Sequence, residues 1–170
     1  MSLSIETQIG DLLRQRGLRL AVAESCTGGL IGHRITNVPG SSDYFTGGVI
    51  AYANSAKVEL LGVSWDTLNT SGAVSRDTVL EMAAGACRSL GVDIAVSVSG
   101  IAGPGGGLPG KPVGTVWIGL ATPGGNRARV FQFPGDREQN KAAASDAALT
   151  MLLDYLLGKP NLDAGKQNEE

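Results

Sequence analysis

Histidine and cysteine are scarce in this chain. His33, Cys26 and Cys87 are the only examples among 170 residues. Two cysteines are too few for a disulfide framework, and no CxxC or Cys/His spacing is typical of a zinc site. We therefore expect a protein without a bound metal, in a reducing compartment.

The chain also has no excess of positive charge and no long hydrophobic run. The formal net charge is −2 and the basic residues are scattered, so the basic surface that binds nucleic acids is missing. Residues 1–16 have the pattern of an amphipathic helix, not of a signal peptide or a membrane span. We expect a cytoplasmic protein that binds neither nucleic acid nor a membrane.

Helical and β-strand patterns alternate along most of the chain. Strands are predicted at residues 18–24, 48–53, 93–99, 114–121 and 127–133, with helices between them and at both ends. This order predicts an α/β fold, a three-layer α/β/α sandwich around a mixed, mostly parallel sheet of about five strands, one running against the others. Residues 1–158 form one predicted domain, and the polar residues 159–170 a disordered tail.

Glycines and polar capping residues define several helix boundaries. Gly17 and Gly91 are predicted to end helices in the left-handed conformation that glycine adopts easily. Asn54, Ser75 and Asp136 are predicted N-caps, because their side chains can accept hydrogen bonds from the free N–H groups of a first helical turn.

The stretch "SGIAGPGGGLPGKPVG" is the most glycine-rich part of the chain. Gly105, Gly107 and Gly110 match GxGxxG, but a strand follows where a phosphate-binding helix is required, and Pro112 stands where a P-loop has Ser or Thr. Two interpretations remain: a flexible loop, or a ligand-binding nest of backbone amides at the carboxyl end of a strand.

The stretch "AESCTGG" lies between a predicted strand and a predicted helix. Ser25 or Thr27 could cap that helix, or the free amides could bind an anion or a polar ligand. Cys26 is a possible nucleophile that would still need a base. His33 is predicted to face solvent on its helix, which argues against a Ser-His-Asp or Cys-His catalyst.

Lys57 is the remaining candidate for a base. It falls in the first turn of a predicted helix, where the helix dipole disfavours its charged form, but the dipole alone is too weak to neutralise it. Desolvation, or a hydrogen bond from the Tyr52 hydroxyl, would have to add to the effect. Ser41 and Ser42 reach Lys57 only if their loop folds back. The alternative is a capping serine, an interfacial tyrosine and a solvated lysine.

Six ordered strings carry a resemblance to a known family: AESCTGG, PGSSDYFTGGVIAYANSAKVELLGV, GAVS, SVSGIAGPGGG, KPVGTVWIGLA and PGDR. Up to about residue 157 the chain closely resembles the C-terminal domain of the CinA family. Stand-alone members of that family are nicotinamide-mononucleotide deamidases. Longer members carry an N-terminal domain associated with pyrophosphatase activity, which we do not expect of this chain.

The resemblance implies an anticodon-binding-domain-like α/β/α sandwich and a serine amidohydrolase of pyridine-nucleotide recycling. It implies no cofactor, a small-molecule substrate, nicotinamide mononucleotide, and a homo-oligomer, for which an apolar edge around Trp117 and Ile118 is the expected surface. It further implies that Ser42, Tyr52 and Lys57 are catalytic, with Ser41 as the other serine to consider. Candidate substrate-binding residues are Ser25, Thr27, Gly28, Ser41, Ser99, Gly100, Ala102, Gly103, Gly105 and Arg137.

Two other functions fit the same sequence. One is a non-catalytic nucleotide-binding or regulatory module, and the other is an amidase that acts on a different small amide. An enzyme assay separates the first from an amidase, and a panel of amides separates the second.

Overall fold

The structure, a computed structural model, describes residues 2–160 and contains one five-stranded mixed sheet. The predicted tail falls mostly in residues 161–170, outside the described part. The strands, whose spatial order is β2-β1-β3-β4-β5, are β1 (Leu20–Glu24), β2 (Phe45–Ile50), β3 (Ile94–Gly100), β4 (Thr115–Ala121) and β5 (Arg127–Gln132). β1 pairs in parallel with β2 and β3, while β4 is antiparallel to β3 and β5. The predicted α/β fold with one reversed strand is confirmed.

In residues 2–160, six α-helices cover the two faces of this sheet. They are α1 (Ile5–Arg16), α2 (Leu30–Thr36), α3 (Asn54–Leu61), α4 (Trp65–Thr70), α5 (Arg76–Leu90) and α6 (Arg137–Leu156). The helices form two layers, one on each face of the sheet, and β1 contacts both of them. Successive side chains of a strand point to opposite faces, so alternate residues of β1 pack against different layers. Leu20 and Val22 pack in the cluster that includes α1, α2 and α6, whereas Ala21 and Ala23 pack in the cluster that includes α3, α4 and α5. Within residues 2–160, every helix falls short of the length or the apolarity that crossing a membrane requires.

Most predicted helix boundaries are confirmed. Gly17 and Gly91 end α1 and α5 in the left-handed conformation. The Ser75 side chain accepts from the N–H of Thr78, and Asp136 forms a capping box with Gln139.

Two predictions about local structure are wrong, and one helix was missed. Asn54 does not cap α3, since the cap position is Ala53 and Asn54 is the first helical residue. The sequence pattern missed α4, because this short helix buries only Leu68 and so shows no apolar stripe. The expected apolar edge at Trp117 and Ile118 does not exist: β4 lies inside the sheet, and β2 and β5 are the edge strands.

The parallel pairing of β1, β2 and β3 decides which residues meet. The carboxyl ends of these strands lie at one edge of the sheet, where open α/β sheets form their ligand-binding crevice. Ser25, Ala51 and Ile101 follow these three ends directly. The segments that precede the strands lie at the opposite edge.

Candidate active site

A buried lysine and a serine form the centre of the cleft at the carboxyl edge. Lys57 Nζ lies 3.1 Å from Ser25 Oγ, 2.9 Å from the carbonyl oxygen of Ala51 and 3.2 Å from that of Tyr52. Lys57 is only 1% exposed and Ser25 only 7%. Ser25 extends from the end of β1, where its N–H donates to the carbonyl of Val98 on β3. Two strand ends and the first turn of α3 therefore fix the pair.

The surroundings of Lys57 favour its neutral form. No carboxylate lies among the hydrogen-bond partners of its amine in residues 2–160, and burial lowers the pKa of Lys57 below its usual value. A neutral amine has two N–H donors and one lone pair. The carbonyls of Ala51 and Tyr52 can accept both donors, which leaves the lone pair for the hydroxyl proton of Ser25. This is the arrangement that a general base and its nucleophile require.

Tyr52 forms its hydrogen bond with Lys57 through its backbone carbonyl and not through its side chain. Its side chain is 61% exposed, and its hydroxyl accepts a hydrogen bond from Arg137 Nη2 at 2.9 Å. Arg137 also donates through Nη1 to the carbonyl of Gly103 at 2.8 Å. The expected hydrogen bond from the Tyr52 hydroxyl to Lys57 is therefore absent. Instead, the side chains of Tyr52 and Arg137 together form one wall at the mouth of the cleft.

The expectation that Ser42 lies beside Lys57 is wrong. Ser42 is exposed in a short 3₁₀ helix, Ser41–Asp43, that precedes β2, whereas Lys57 follows β2. The six residues of β2 span about 20 Å, and this length separates Ser42 from Lys57. The loop that carries Ser42 does not fold back toward the lysine. The next residue after Ser42, Asp43, accepts a hydrogen bond from Arg14 on α1 and forms an ion pair with it. This contact lies at the amino edge of the sheet. Ser41 lies at this same edge and is not part of the cleft.

A buried glutamate occupies the amino end of α2. The Glu24 carboxylate, 1% exposed, accepts hydrogen bonds from the N–H groups of Ile31 and Gly32, both at 3.0 Å, and from the Thr27 hydroxyl at 2.6 Å. The anion site expected at this helix is therefore filled by a residue of the chain itself. The Thr27 side chain supports the turn and Gly28 is exposed, and neither residue lines the cleft.

Glu24 holds the turn that carries Ser25, and its replacement tests this role. In Glu24→Gln one acceptor oxygen becomes an NH₂ group, which leaves a buried N–H of α2 without a partner. We expect a loss of about 1–3 kcal/mol in the free energy of unfolding, measured by urea denaturation. Glu59→Gln, at an exposed position on α3, is the matched control. Equal stability of the two variants would contradict the role of Glu24.

Cys26 also lines the cleft, but it is poorly suited to be a nucleophile. Burial raises the pKa of the Cys26 thiol to about 11, so the reactive thiolate is scarce near neutral pH. His33 is exposed on α2, as predicted. Within residues 2–160, His, Cys, Asp and Glu side chains form no group of three or more that could hold a metal ion.

The glycine-rich segment forms the other wall of the cleft. Gly103 and Gly106 have φ angles of +93° and +92°, a conformation that favours glycine. Asn140 Nδ2 donates to the carbonyl of Ala102 at 2.9 Å, and Lys111 Nζ donates to the carbonyl of Ser71 at 2.8 Å. These contacts fix the segment to α6 on one side and to the connection between α4 and α5 on the other.

Most of the predicted site residues converge. Those that line the cleft are Ser25, Tyr52, Lys57, Ser99, Gly100, Ala102, Gly103, Gly105 and Arg137. Four predicted residues do not line the cleft: Thr27, Gly28, Ser41 and Ser42. The sequence analysis missed Asn54, which also lines the cleft, and Glu24 and Asn140, which hold segments of its wall. Glu24 is the last residue of a predicted strand and directly precedes "SCTGG". That position could have identified it as a residue that supports the site.

The chain matches a family model and curated sequences over nearly all of its described length. The model of the CinA C-terminal domain matches residues 2–156. The CinA-like protein of Chloroherpeton thalassium is 53% identical over 156 residues, which cover 89% of this chain and 37% of that protein. The CinA-like protein of Salinibacter ruber is 52% identical over 146 residues, covering 86% of this chain and 35% of that protein. The chain thus spans little more than a third of these curated relatives.

Solved structures of similar length share the fold. The competence damage-inducible protein A from Klebsiella pneumoniae has a TM-score of 0.87 at 37% identity, with 90% of this chain and 95% of that chain covered. The competence/damage inducible protein CihA from Agrobacterium tumefaciens has a TM-score of 0.84 at 40% identity, with 92% and 99% covered. With the sequence matches, these similarities show that the chain belongs to the CinA C-terminal domain family.

Proposed function

We propose that this chain is a serine amidohydrolase that converts nicotinamide mononucleotide to nicotinic acid mononucleotide and ammonia, with Ser25 as nucleophile and Lys57 as base. The observation that carries the proposal is the 3.1 Å contact between Lys57 Nζ and Ser25 Oγ at the bottom of the cleft. Ser25 takes the place that the sequence analysis gave to Ser42, because only Ser25 reaches the lysine.

Acylation starts with a proton transfer. The neutral amine of Lys57 takes the hydroxyl proton of Ser25, and Ser25 Oγ attacks the carboxamide carbon to give a tetrahedral intermediate. Lys57, now an ammonium group, passes this proton to the amide nitrogen. The C–N bond breaks, ammonia leaves, and an ester joins the nicotinoyl group to Ser25.

Deacylation uses the same groups in the same order. Lys57 takes a proton from water, the resulting hydroxide attacks the ester, and the proton returns to Ser25 Oγ as the acid leaves. Both steps place negative charge on the carbonyl oxygen, which needs fixed hydrogen-bond donors. The backbone N–H groups of Cys26 and Thr27 follow Ser25 in its turn and donate to no other residue within residues 2–160. We assign the oxyanion to them.

Nicotinamide mononucleotide is proposed as substrate because of the resemblance of the motifs to the deamidases, and the mouth of the cleft is compatible with it. Arg137 uses two of its five N–H donors on Tyr52 and Gly103. The remaining three and the positive charge are available to the substrate phosphate. The exposed ring of Tyr52 provides a surface on which the pyridine or the ribose can pack.

The direct test is ammonia release by the purified protein from nicotinamide mononucleotide, nicotinamide riboside, nicotinamide and a panel of other small amides. We expect release from the mononucleotide, and less from the two compounds without phosphate because Arg137 then has no anion to bind. Release only from another amide would replace the substrate and keep the chemistry. No release from any amide, with a melting temperature raised by the mononucleotide, would favour the non-catalytic binding module.

Assembly is a separate proposal. We expect a homo-oligomer, and sedimentation velocity at several protein concentrations tests it. A monomer at all concentrations would contradict this expectation.

A further inference from the structure

A second serine hydroxyl lies in the cleft next to Ser25. In the parallel register of β1 and β3, Glu24 pairs with Val98, and the N–H of Ser25 donates to the carbonyl of Val98 at 3.0 Å. The next residue of β3 is Ser99, so it lies beside Ser25 on the neighbouring strand, where strands are about 4.8 Å apart. Both residues line the cleft.

Ser99 is buried but its hydroxyl has no partner. The residue is 2% exposed, and its Oγ forms no hydrogen bond within residues 2–160, although it is not enclosed by protein atoms. Ser97, two residues earlier on the same face of β3, donates its hydroxyl to the carbonyl of Val79 on α5. Buried hydroxyls are normally bonded in this way. An unpaired one that opens into the cleft is suited to bind a ligand group.

We infer that Ser99 is a further catalytic residue, which binds the departing nitrogen of the carboxamide; this inference rests on the proposed amidohydrolase function. The amide nitrogen changes its hydrogen-bonding character during the reaction. In the bound substrate it has N–H donors, and in the tetrahedral intermediate it has a lone pair that needs a donor. A hydroxyl can accept in the first state and donate in the second, which a backbone carbonyl or a backbone N–H cannot do.

This role moves no additional proton. Ser99 accepts an N–H of the carboxamide, then turns and donates its O–H to the lone pair that the nitrogen gains in the tetrahedral intermediate. Once Lys57 has protonated that nitrogen, Ser99 again accepts one of its N–H groups while the C–N bond breaks. The proton that ammonia keeps comes from Lys57, as in the proposed acylation step. Ser99 stabilises the state in which that transfer takes place.

The test compares Ser99→Ala with Ser97→Ala, using ammonia release and the ¹⁵N isotope effect of the carboxamide nitrogen on kcat/KM. Loss of a hydrogen bond made in the transition state should lower kcat/KM of Ser99→Ala by about 100-fold. It should also raise the isotope effect, because departure of the nitrogen then limits the rate more strongly. Ser97→Ala removes a buried hydrogen bond outside the cleft, so we expect a lower melting temperature with kcat/KM and isotope effect unchanged.

Each other outcome has a distinct meaning. An active wild type with an equally active Ser99→Ala overturns the role of Ser99 and leaves the proposed function intact. A slower Ser99→Ala whose isotope effect equals that of the wild type also overturns it, since the hydroxyl would then act before nitrogen departure. A wild type that releases no ammonia overturns the proposed function and this inference together. Circular dichroism checks that each variant is folded.

Discussion

Replacing Ser25 by alanine should abolish ammonia release from nicotinamide mononucleotide, with kcat reduced by at least about 1,000-fold, because no other hydroxyl contacts the lysine base in residues 2–160. The substitution removes one oxygen atom at the lining of the cleft and leaves the two apolar clusters unchanged. Circular dichroism and the melting temperature should therefore stay close to those of the wild type.

Ser42→Ala is the matched control for Ser25→Ala. Ser42 is exposed at the amino edge of the sheet, so its replacement should change neither activity nor stability. A large loss of activity in Ser42→Ala, with Ser25→Ala still active, would reverse the assignment of the nucleophile. Trapping an acyl-enzyme and locating it by mass spectrometry of the digested protein gives an independent answer. We expect the added mass on the peptide that contains Ser25.

The change of the proposed nucleophile from Ser42 to Ser25 shows how much of the site could be predicted from the sequence alone. The sequence analysis placed Ser25 and Ser99 correctly at the carboxyl ends of parallel strands. It did not apply the same rule to Ser42, which precedes a strand of the same sheet and therefore lies at the other edge. Closeness along the chain gave the wrong neighbour because a six-residue strand separates Ser42 from Lys57.

The sequence pattern could not predict how deeply Lys57 and Glu24 are buried or which groups they bind. Desolvation was one of two effects considered for lowering the pKa of Lys57, and the structure shows that this side chain is buried. Its two carbonyl partners depend on the path of the backbone after β2, which the sequence pattern does not reveal. Glu24 illustrates the same limit. A glutamate at a strand end is usually solvated, and only the turn that follows brings the α2 amides onto its carboxylate.

Local signals were the most reliable part of the sequence. Gly17, Gly91, Ser75 and Asp136 end or begin helices as predicted, because capping depends on residues within one turn. The turn sequence Pro-Gly-Gly-Asn between the predicted strands 114–121 and 127–133 also predicts a hairpin, and β4 and β5 are antiparallel neighbours. Asn54 failed as a cap because the extended backbone of the cap position belongs to Ala53, and Asn54 is already the first residue of the helix.

Replacement of Lys57 is the second change for which we expect a large loss of activity. Lys57→Met removes the base and should lower kcat by about 1,000-fold to 10,000-fold at every pH. Lys57→Arg keeps a positive charge but cannot act as a base, because a guanidinium does not lose its proton in proteins. Both variants should therefore be inactive, and activity in Lys57→Arg would contradict proton transfer through this side chain.

The lowered pKa of Lys57 also predicts the direction of two pH dependences. Only the neutral amine can take the proton of Ser25, so kcat/KM of the wild type should rise with pH through the pKa of folded Lys57 and then level off. Unfolding restores the ordinary pKa of 10.5. Between the folded and unfolded pKa values the unfolded chain binds more protons, and the contribution of Lys57 to the free energy of unfolding must increase with pH across that window.

Urea denaturation at a series of pH values from 6 to about 10 measures this linkage. The stability of the wild type relative to Lys57→Met should increase as the pH rises, because the cost of burying the ammonium group disappears when the amine is neutral. A relative stability of the wild type that is flat or falls with pH would mean that Lys57 stays charged in the folded protein. A permanently charged Lys57 could not take the Ser25 proton, so the same titration tests the stability argument and the proposed mechanism together.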